Sequence, residues 1–356
     1  MCSDIKRAEH LKQAYVNYKN KKRIILTALI PVALALILSS IAVGSADIAV
    51  TDVYATIWRK FFPGTTSAPS YTDIIICKLR LPRVMMGLLS GIALGCSGAV
   101  MQVVLRNPLA DPYILGISSA AGFGAALAII SGVGLLPGPF LVVGNAFFFS
   151  LLSSGIILAL SGRKDASPQM MVLTGLALLF FFQAMTTILQ YFGDSDAVKA
   201  AIFWTVGDLG KSDWQKLAIS SPLVAAGTVY LCWKSRDLNI LNAGDVTAKS
   251  LGVNVAETRV STLIVCALMV AGIISFTGTI GFVGLVAPHL VRMLIGSDNV
   301  ILVPASGLLG AVLLIMSDTI ARTILSPIVL PVGSVTAFLG VPLFVYLIIK
   351  KSGSMT

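Results

Sequence analysis

The sequence has few charged residues for its length, and this scarcity excludes most classes of soluble protein. Only 12% of the 356 residues are Asp, Glu, Lys or Arg, whereas 56% are hydrophobic. Soluble domains carry about 25% charged residues, and a soluble fold this apolar could not cover its surface with polar groups. The mean hydropathy of +0.90 agrees. We therefore expect an integral membrane protein rather than a nucleic-acid-binding domain, a secreted disulfide scaffold or a disordered chain.

Patterns for metal binding, disulfides and catalysis are scarce as well. The five cysteines are scattered, so neither a disulfide framework nor a cysteine metal site is expected. His289, in APHLVR (287–292), is most simply a packed residue. The zinc motif HExxH, the nucleophile elbow GxSxG and the phosphate loop GxxxxGK[ST] do not occur in the sequence. We predict no enzyme activity, no cofactor and no metal site, and any ATP that powers this protein must be hydrolysed by another subunit.

Long apolar runs are what the sequence has in abundance. A helix needs about 20 apolar residues to cross the hydrocarbon of a bilayer, and runs near that length predict about ten spans. Because the runs are continuously apolar, we expect helices and an all-α polytopic membrane protein. The runs lie at residues 24–44, 82–105, 114–134, 139–161, 169–192, 214–233, 260–277, 282–296, 300–320 and 332–349.

The distribution of Lys and Arg predicts the orientation. If the basic segment 1–23 is cytoplasmic, ten alternating spans place most of the 26 Lys and Arg residues inside. Both termini are then cytoplasmic. The predicted organisation is a basic cytoplasmic tail at 1–23, a transmembrane domain at 24–350 and a cytoplasmic end at 351–356.

Two segments between spans are long enough to have structure of their own. Residues 45–81 are expected outside and contain an amphipathic stretch from Asp52 to Phe62. Residues 234–259 are expected inside, and their mixture of helix formers and Gly252 predicts two short helices with a turn at Gly252.

Glycine spacing suggests two further features. Gly87, Gly91 and Gly95 lie four apart and predict close approach of another helix to the second span. The segments 98–108 and 278–288 share Gly, Leu and Pro at equal spacing, which is compatible with an inverted-topology repeat of the kind found in transporters. Chance in a glycine-rich chain explains the same match.

Positive charge also occurs on the side predicted to be outside. The segment KLRLPR (78–83) places Arg80 and Arg83 at the outer end of the second span. Contact with lipid headgroups is one interpretation; docking of an acidic partner is the other, because Arg pairs well with carboxylates. Asp318 and Arg322, four residues apart, predict an ion pair within one helix.

Several motifs together resemble the membrane permeases of iron-complex and cobalamin ABC importers, the FecCD-type permeases. They are LRLPR (79–83), SGAVMQ and RNPLADPYILGIS within 97–118, GFVGLVAPHLVR (281–292), SDTIAR (317–322) and LPVGSVTAFLGVPLF (330–344). The resemblance covers residues 45–350 and implies ten helices per subunit in a prokaryotic cytoplasmic membrane. It also implies two cytosolic ATP-binding subunits, an external substrate-binding protein and a second permease copy that forms a homodimer. It implies no nucleic-acid partner.

The resemblance also assigns residues to contacts with partners. Arg80, Arg83 and Arg322 match arginines that dock the binding protein. The segment 240–257 matches the loop that couples to the ATPases. Its coupling residues would be Asp245, Ala248, Leu251, Gly252 and Glu257.

Residues of the conduit are implied in the same way. The cytoplasmic gate would lie at Asn107 and Ser167, although Pro168 departs from the cobalamin permeases, which have a second hydroxyl residue there. The fifth span, at 169–192, would line the conduit, and a short external helix near 197–207 would follow it. The lining residues of that span would be Thr174, Gln183 and Thr187.

The predicted function is that of an importer permease subunit that moves a ferric siderophore, haem or cobalamin; the motifs do not distinguish these substrates. The fifth span is mostly apolar and has no charged side chain, which suits a low-affinity conduit. The alternative is an ion-coupled secondary transporter or channel without an ATPase. Such proteins usually carry charged residues near the middle of the bilayer, and the predicted span centres here have almost none.

Overall fold

The computed structural model describes residues 24, 26–44, 48–61, 71–113, 115–161 and 168–352, and within these ranges the chain is helical without β-strands. A π-helical turn at Ile75–Arg80 joins α3 to α4, and a 3₁₀ turn at Gly138–Phe140 precedes α6. The α-helices are α1 Leu26–Ala42, α2 Val50–Phe61, α3 Tyr71–Ile74, α4 Leu81–Val104, α5 Ile117–Ser131, α6 Leu141–Ser161, α7 Pro168–Phe192, α8 Ser195–Thr205, α9 Trp214–Trp233, α10 Ser235–Asn242, α11 Asp245–Ser250, α12 Val255–Thr277, α13 Val283–Ile295, α14 Asn299–Thr323 and α15 Val332–Ser352.

Each predicted span coincides with an apolar helix. In the described part of the chain, six helical segments are long and apolar enough to cross a membrane, and α1, α5, α13 and Val332–Tyr346 of α15 are shorter apolar helices. The amphipathic stretch predicted from Asp52 is α2. An all-helical, multi-pass membrane fold is therefore confirmed. The number of crossings and their direction remain predictions, and the tail at 1–23 lies outside the described residues.

Helix α4 is the centre of the bundle. It packs against α9, α12, α13 and α14, and every residue from 93 to 104 is buried. The predicted glycine stripe explains how α14 comes so close: a Cβ atom on Gly91 or Gly95 would overlap backbone atoms of Ala311 or Ser306. Small residues that let two backbones approach are a common device for packing membrane helices, and that prediction is confirmed.

The predicted position of the turn between the two short inner helices is wrong. Helix α10 ends at Asn242 and α11 begins at Asp245, so the turn lies at Gly244, where φ is 111°. Gly252, with φ of 81°, instead lies in the short link between α11 and α12. Both positions need glycine because a side chain is strained at positive φ. The sequence contains both glycines, but composition alone does not say which one separates the helices.

The two segments that suggested the repeat differ in local structure, and the inverted-topology repeat itself stays a prediction. The segment 98–108 is helical up to Val104 and then turns, whereas 278–288 begins as a turn and becomes helical at Val283. Helix and turn therefore occupy opposite halves of the two segments. The shared Gly, Leu and Pro have different local conformations.

The bundle has two ends that carry the candidate functional residues. The arginine end is where the first turn of α4 meets the last turns of α14, at Arg83 and Asp318. The loop end is where the α4–α5 turn, residues 105–116, meets α11, at Arg106 and Asp245. The end of α1 also reaches the arginine end, because Arg80 donates hydrogen bonds to its last carbonyl groups.

Candidate functional site

Helix α7 leaves most of its surface uncovered by its own chain. Only 11% of its most apolar stretch is buried, against 78% for the corresponding stretch of Tyr71–Val104. It packs on α5 and α6 along one side. Its other faces must therefore contact lipid, water or another protein.

The polar side chains of α7 form a strip along one of those faces. Gln183, Thr186, Thr187 and Gln190 are spaced by three and four residues, which places them on one face of the helix. They line one wall of a groove of about 400 Å³. Gln183 and Thr187, both predicted lining residues, thus lie on this groove.

Thr174 does not share that groove. It is nine residues before Gln183, and at about 100° of rotation per residue this places it on the opposite face of the helix. It is absent from the set of described residues that line the groove. Thr174 therefore lies off this groove, and its predicted role in lining the conduit stays a prediction.

The opposite wall of the groove is rich in hydroxyl groups. It is formed by residues from the α4–α5 turn, the first turns of α5, the end of α8 and the link between α12 and α13. Among the described lining residues no side chain is an Asp, Glu, Lys, Arg or His. The residues of this wall include Tyr113, Ser118, Ser119, Thr205 and Thr279. The groove therefore offers a ligand neutral hydrogen-bonding groups.

Two of these hydroxyl groups, those of Tyr113 and Ser118, lack a hydrogen-bond partner within the described ranges. Ser118 is 5% exposed. Ser118 and Thr279 both lie beside the Tyr113 hydroxyl. Ser118 is in the first turn of α5, whose N-terminus lacks a side-chain cap. Sequence reasoning missed these residues: Tyr113 and Ser118 were inside a quoted motif, but no spacing rule distinguishes them.

At the arginine end, a buried carboxylate holds two arginines. Asp318 accepts hydrogen bonds from Arg83 at 3.0 Å and 2.8 Å and forms an ion pair with Arg322 at 3.0 Å. The side chain of Asp318 is only 3% exposed. The predicted pair between Asp318 and Arg322 within one helix is confirmed, and the contact with Arg83 adds a link between α4 and α14.

The same arginines also hold the end of α1. Arg80 Nη1 donates to the carbonyl oxygens of Ile41 and Ala42, at 2.9 Å and 2.7 Å. Arg322 donates to the carbonyl oxygens of Val43 and Ser40, at 3.0 Å and 3.1 Å. The last carbonyls of a helix lack partners within the helix, and a cation is favourable there. Arg80 and Arg322 are 6% and 5% exposed, so in the single chain both are bonded internally.

At the loop end, Asp245 stands between two arginines. It forms ion pairs with Arg106 at 2.6 Å and with Arg259 at 3.2 Å. Asn107 shapes the adjoining turn, because its Oδ1 accepts a hydrogen bond from the backbone N–H of Leu109 at 3.0 Å. Ser167, the other predicted gate residue, lies outside the described residues.

The predicted coupling residues differ in their exposure. Leu251 is 64% exposed, and Val246, five residues earlier, is 84% exposed. Asn254 caps α12 by accepting a hydrogen bond from Glu257 N–H at 3.2 Å, and the carboxylate of Glu257 accepts one from Asn254 Nδ2 at 3.2 Å. Ala248 is fully buried. The single chain therefore offers no Ala248 surface to a partner, and the predicted role of Ala248 in coupling stays a prediction.

Comparisons with known proteins agree on one class. A family model described as the FecCD transport family matches residues 32–350. The haemin transport system permease of Yersinia pestis is 37% identical, over 89% of this chain and 94% of that protein. The vitamin B12 import system permease of Klebsiella pneumoniae is 38% identical, over 79% and 84%. A solved metal-chelate type ABC transporter in an inward-facing conformation has a TM-score of 0.80 and 29% identity, covering 92% of this chain and 99% of that one.

Proposed function

Since this chain belongs to the FecCD transport family and is a permease subunit of a binding-protein-dependent ABC importer, we propose that two copies of it form the conduit, with the α7 groove of each copy facing the other. The observation that carries this proposal is the polar strip of α7. A spanning helix that exposes Gln183 and Thr187 to lipid would leave polar groups in hydrocarbon, which is costly. A second copy would enclose the strip and supply the same neutral groups by symmetry.

The substrate we propose is a large metal chelate or macrocycle: a ferric siderophore, haem or cobalamin. Two similar proteins are named for haemin and vitamin B12, and the groove is large enough to contribute to a wide passage. Hydroxyl and amide groups without charge offer weak contacts and no deep binding well, which conduction requires. Import across the prokaryotic cytoplasmic membrane follows from this proposal.

We propose that the loop end is cytosolic and contacts the ATP-binding subunits. Val246 and Leu251 are large apolar side chains with high exposure on α11 and just after it. Burial of these side chains against a partner would remove apolar surface from water, which favours binding. Two ATPases would bind, one to each copy, and would hydrolyse the ATP that this chain cannot.

We propose that the arginine end is external and docks the acidic binding protein. For Arg80 and Arg322, docking would require that a partner carboxylate replace the carbonyl groups of α1. Arg83 is less enclosed, with 13% of its side chain exposed, and Asp318 would retain Arg322 if Arg83 were lost.

Replacement of Arg83 by Gln tests this docking. We expect about tenfold weaker binding of the binding protein, with a smaller dependence on salt, because rim charges act through screened electrostatics. Lys249→Gln, an exposed cation at the loop end, is the matched control. Equal affinities of the two variants at low salt would remove Arg83 from the docking surface.

The transport proposal is tested in proteoliposomes that contain the permease, its ATPase and its binding protein. Uptake of cyanocobalamin, haem and ferric hydroxamate is measured with ATP, with ADP and after dissipation of ion gradients. We expect ATP-dependent uptake of one probe that is indifferent to the gradients. Uptake that follows an ion gradient without ATP would support the secondary-transporter alternative, which no feature of the described residues favours.

A further inference from the structure

Asp245 joins three separate parts of the loop end. It is the first residue of α11, Arg106 lies in the α4–α5 turn, and Arg259 lies early in α12. One carboxylate oxygen, Oδ1, is 2.6 Å from Arg106 Nη2 and 3.2 Å from Arg259 Nη2. A single negative charge therefore links α11 both to the α4–α5 turn and to α12.

The α4–α5 turn leads from this ion pair to the groove. Arg106 itself has a positive φ of 49°, which is uncommon for a residue with a side chain. The side chain of Asn107 accepts a backbone hydrogen bond within the turn, and that of Asp111 accepts one from Tyr113 N–H. The backbone of 106–113 is thus held by its own side chains, and it ends at the hydroxyl group of Tyr113 in the groove wall.

The pair between Arg106 and Asp245 adds little to the stability of the fold. Their side chains are 42% and 35% exposed, and exposed ion pairs contribute about 0–1 kcal/mol. Arg259 is different, because its side chain is only 9% exposed. Its charge has little access to water, so it depends on the Asp245 carboxylate more than the exposed Arg106 does. Asp245 is therefore held to α12 by Arg259, and the exposed Arg106 attaches the turn to the same point.

We propose that Asp245 and Arg106 are positioning residues that transmit movement of α11 to the α4–α5 turn, and through it to the groove wall at Tyr113. This inference rests on the proposed contact between the ATPase and α11. When ATP binding displaces α11, the ion pair moves the turn with it. Without the pair, α11 moves and the turn does not follow.

The test uses a thiol in the turn as a reporter. Leu109 is 46% exposed, and Leu109→Cys is introduced into a chain whose Cys2, Cys77 and Cys232 are replaced by Ser. Cys96 and Cys266 are fully buried and can remain. The complex with its ATPase is placed in lipid nanodiscs, and the maleimide alkylation rate is measured with and without ATP. We expect about a fivefold difference in rate between the two states.

A double-mutant cycle then isolates the ion pair. Arg106→Gln, Asp245→Asn and the double variant are compared in the reporter chain. We expect Arg106→Gln to abolish the nucleotide-dependent difference in alkylation rate while ATPase co-purification stays unchanged. We expect the double variant to lose no more of that difference than Asp245→Asn loses alone. Asp245→Glu, which keeps the charge, should restore most of the difference.

Lys234→Gln is the matched control. Lys234 immediately precedes α10 and pairs at 2.9 Å with Asp237 in the first turn of that helix, so this pair does not include the α4–α5 turn. The pKa of Lys234 is raised, chiefly by its hydrogen bond to Asp237. We expect this variant to keep the full reporter response.

Two results would overturn the inference in distinguishable ways. If Arg106→Gln keeps the nucleotide-dependent difference, or if the effects of the two single variants simply add, the ion pair transmits nothing and the proposed function stands. If the ATPase does not co-purify with the chain that carries no change at Arg106 or Asp245, the proposed contact at α11 fails together with the inference.

Discussion

At the scale of single residues, the packing of α4 on α14 depends on glycines, which have no side chain to separate the two helices. At Gly95 an added Cβ would overlap the Ser306 carbonyl oxygen, whereas at Gly155, in α6, nothing lies within 4 Å of an added Cβ. Both glycines are inside helices, where alanine is intrinsically better than glycine by about 1 kcal/mol. Their different surroundings therefore reverse the sign of the same substitution.

We expect Gly95→Ala to destabilise the protein by about 1–3 kcal/mol, because two helix backbones must separate to admit the methyl group. Gly155→Ala should leave stability unchanged or raise it slightly. The measurement is the apparent melting temperature of each purified variant in the same detergent. A Gly95→Ala variant at least as stable as the Gly155→Ala variant would contradict the packing described for α4.

Local rules predicted the residue contacts that lie within one helix, and they could not predict the others. The pair between Asp318 and Arg322 follows from their spacing of four. The contact between Arg83 and Asp318 joins residues 235 positions apart, and the contacts of Arg80 with the end of α1 span 38 and 39. No spacing rule covers such distances. Only the fold reveals that arginines expected to face a partner are bonded to their own chain.

At the scale of elements, apolar runs predicted the helices well because membrane spans need length and continuous hydrophobicity. The details that depend on rotation or on backbone angles were less accessible. Thr174 and Gln183 are both polar residues of α7, yet they face opposite sides. Likewise Gly244 and Gly252 are both residues that interrupt helices, and each has a positive φ. The sequence does not say which of the two separates the short inner helices.

Gly252→Val tests the element that we propose contacts the ATPase. Valine at φ of 81° is strained by about 1–2 kcal/mol, so the segment between α11 and α12 must change its path. We expect insertion into the membrane to be preserved and the stimulation of ATP hydrolysis by loaded binding protein to be lost in proteoliposomes.

Gly132→Val separates strain from coupling. Gly132 ends α5 with φ of 67°, and it has open space around it, as Gly252 has. The two variants should lose similar stability, while Gly132→Val keeps stimulated hydrolysis. Equal loss of stimulation in both would mean that general strain, not the position after α11, is responsible.

At the scale of the whole molecule, the motifs identified the family and the class of function before any geometry was known. The same motifs left the substrate undecided, because the haemin and vitamin B12 permeases are similar to this chain to nearly the same degree. The groove could not be predicted because four separate regions of the chain form it. The pairing of two copies also depends on surfaces that a single sequence does not arrange in space.

The most direct test of the account is cross-linking of single cysteines placed along α7 at 172–187, in a chain without exposed native cysteines. The account predicts cross-links between two copies at Leu176, Phe180, Gln183 and Thr187, which are exposed along one face. It predicts no cross-links at Gly175 and Phe182, which are buried in their own chain. It also predicts that the cross-link yields at the exposed positions change when ATP is added. Absence of cross-links on every face of α7, with or without ATP, would mean that this helix faces lipid and that the conduit lies elsewhere.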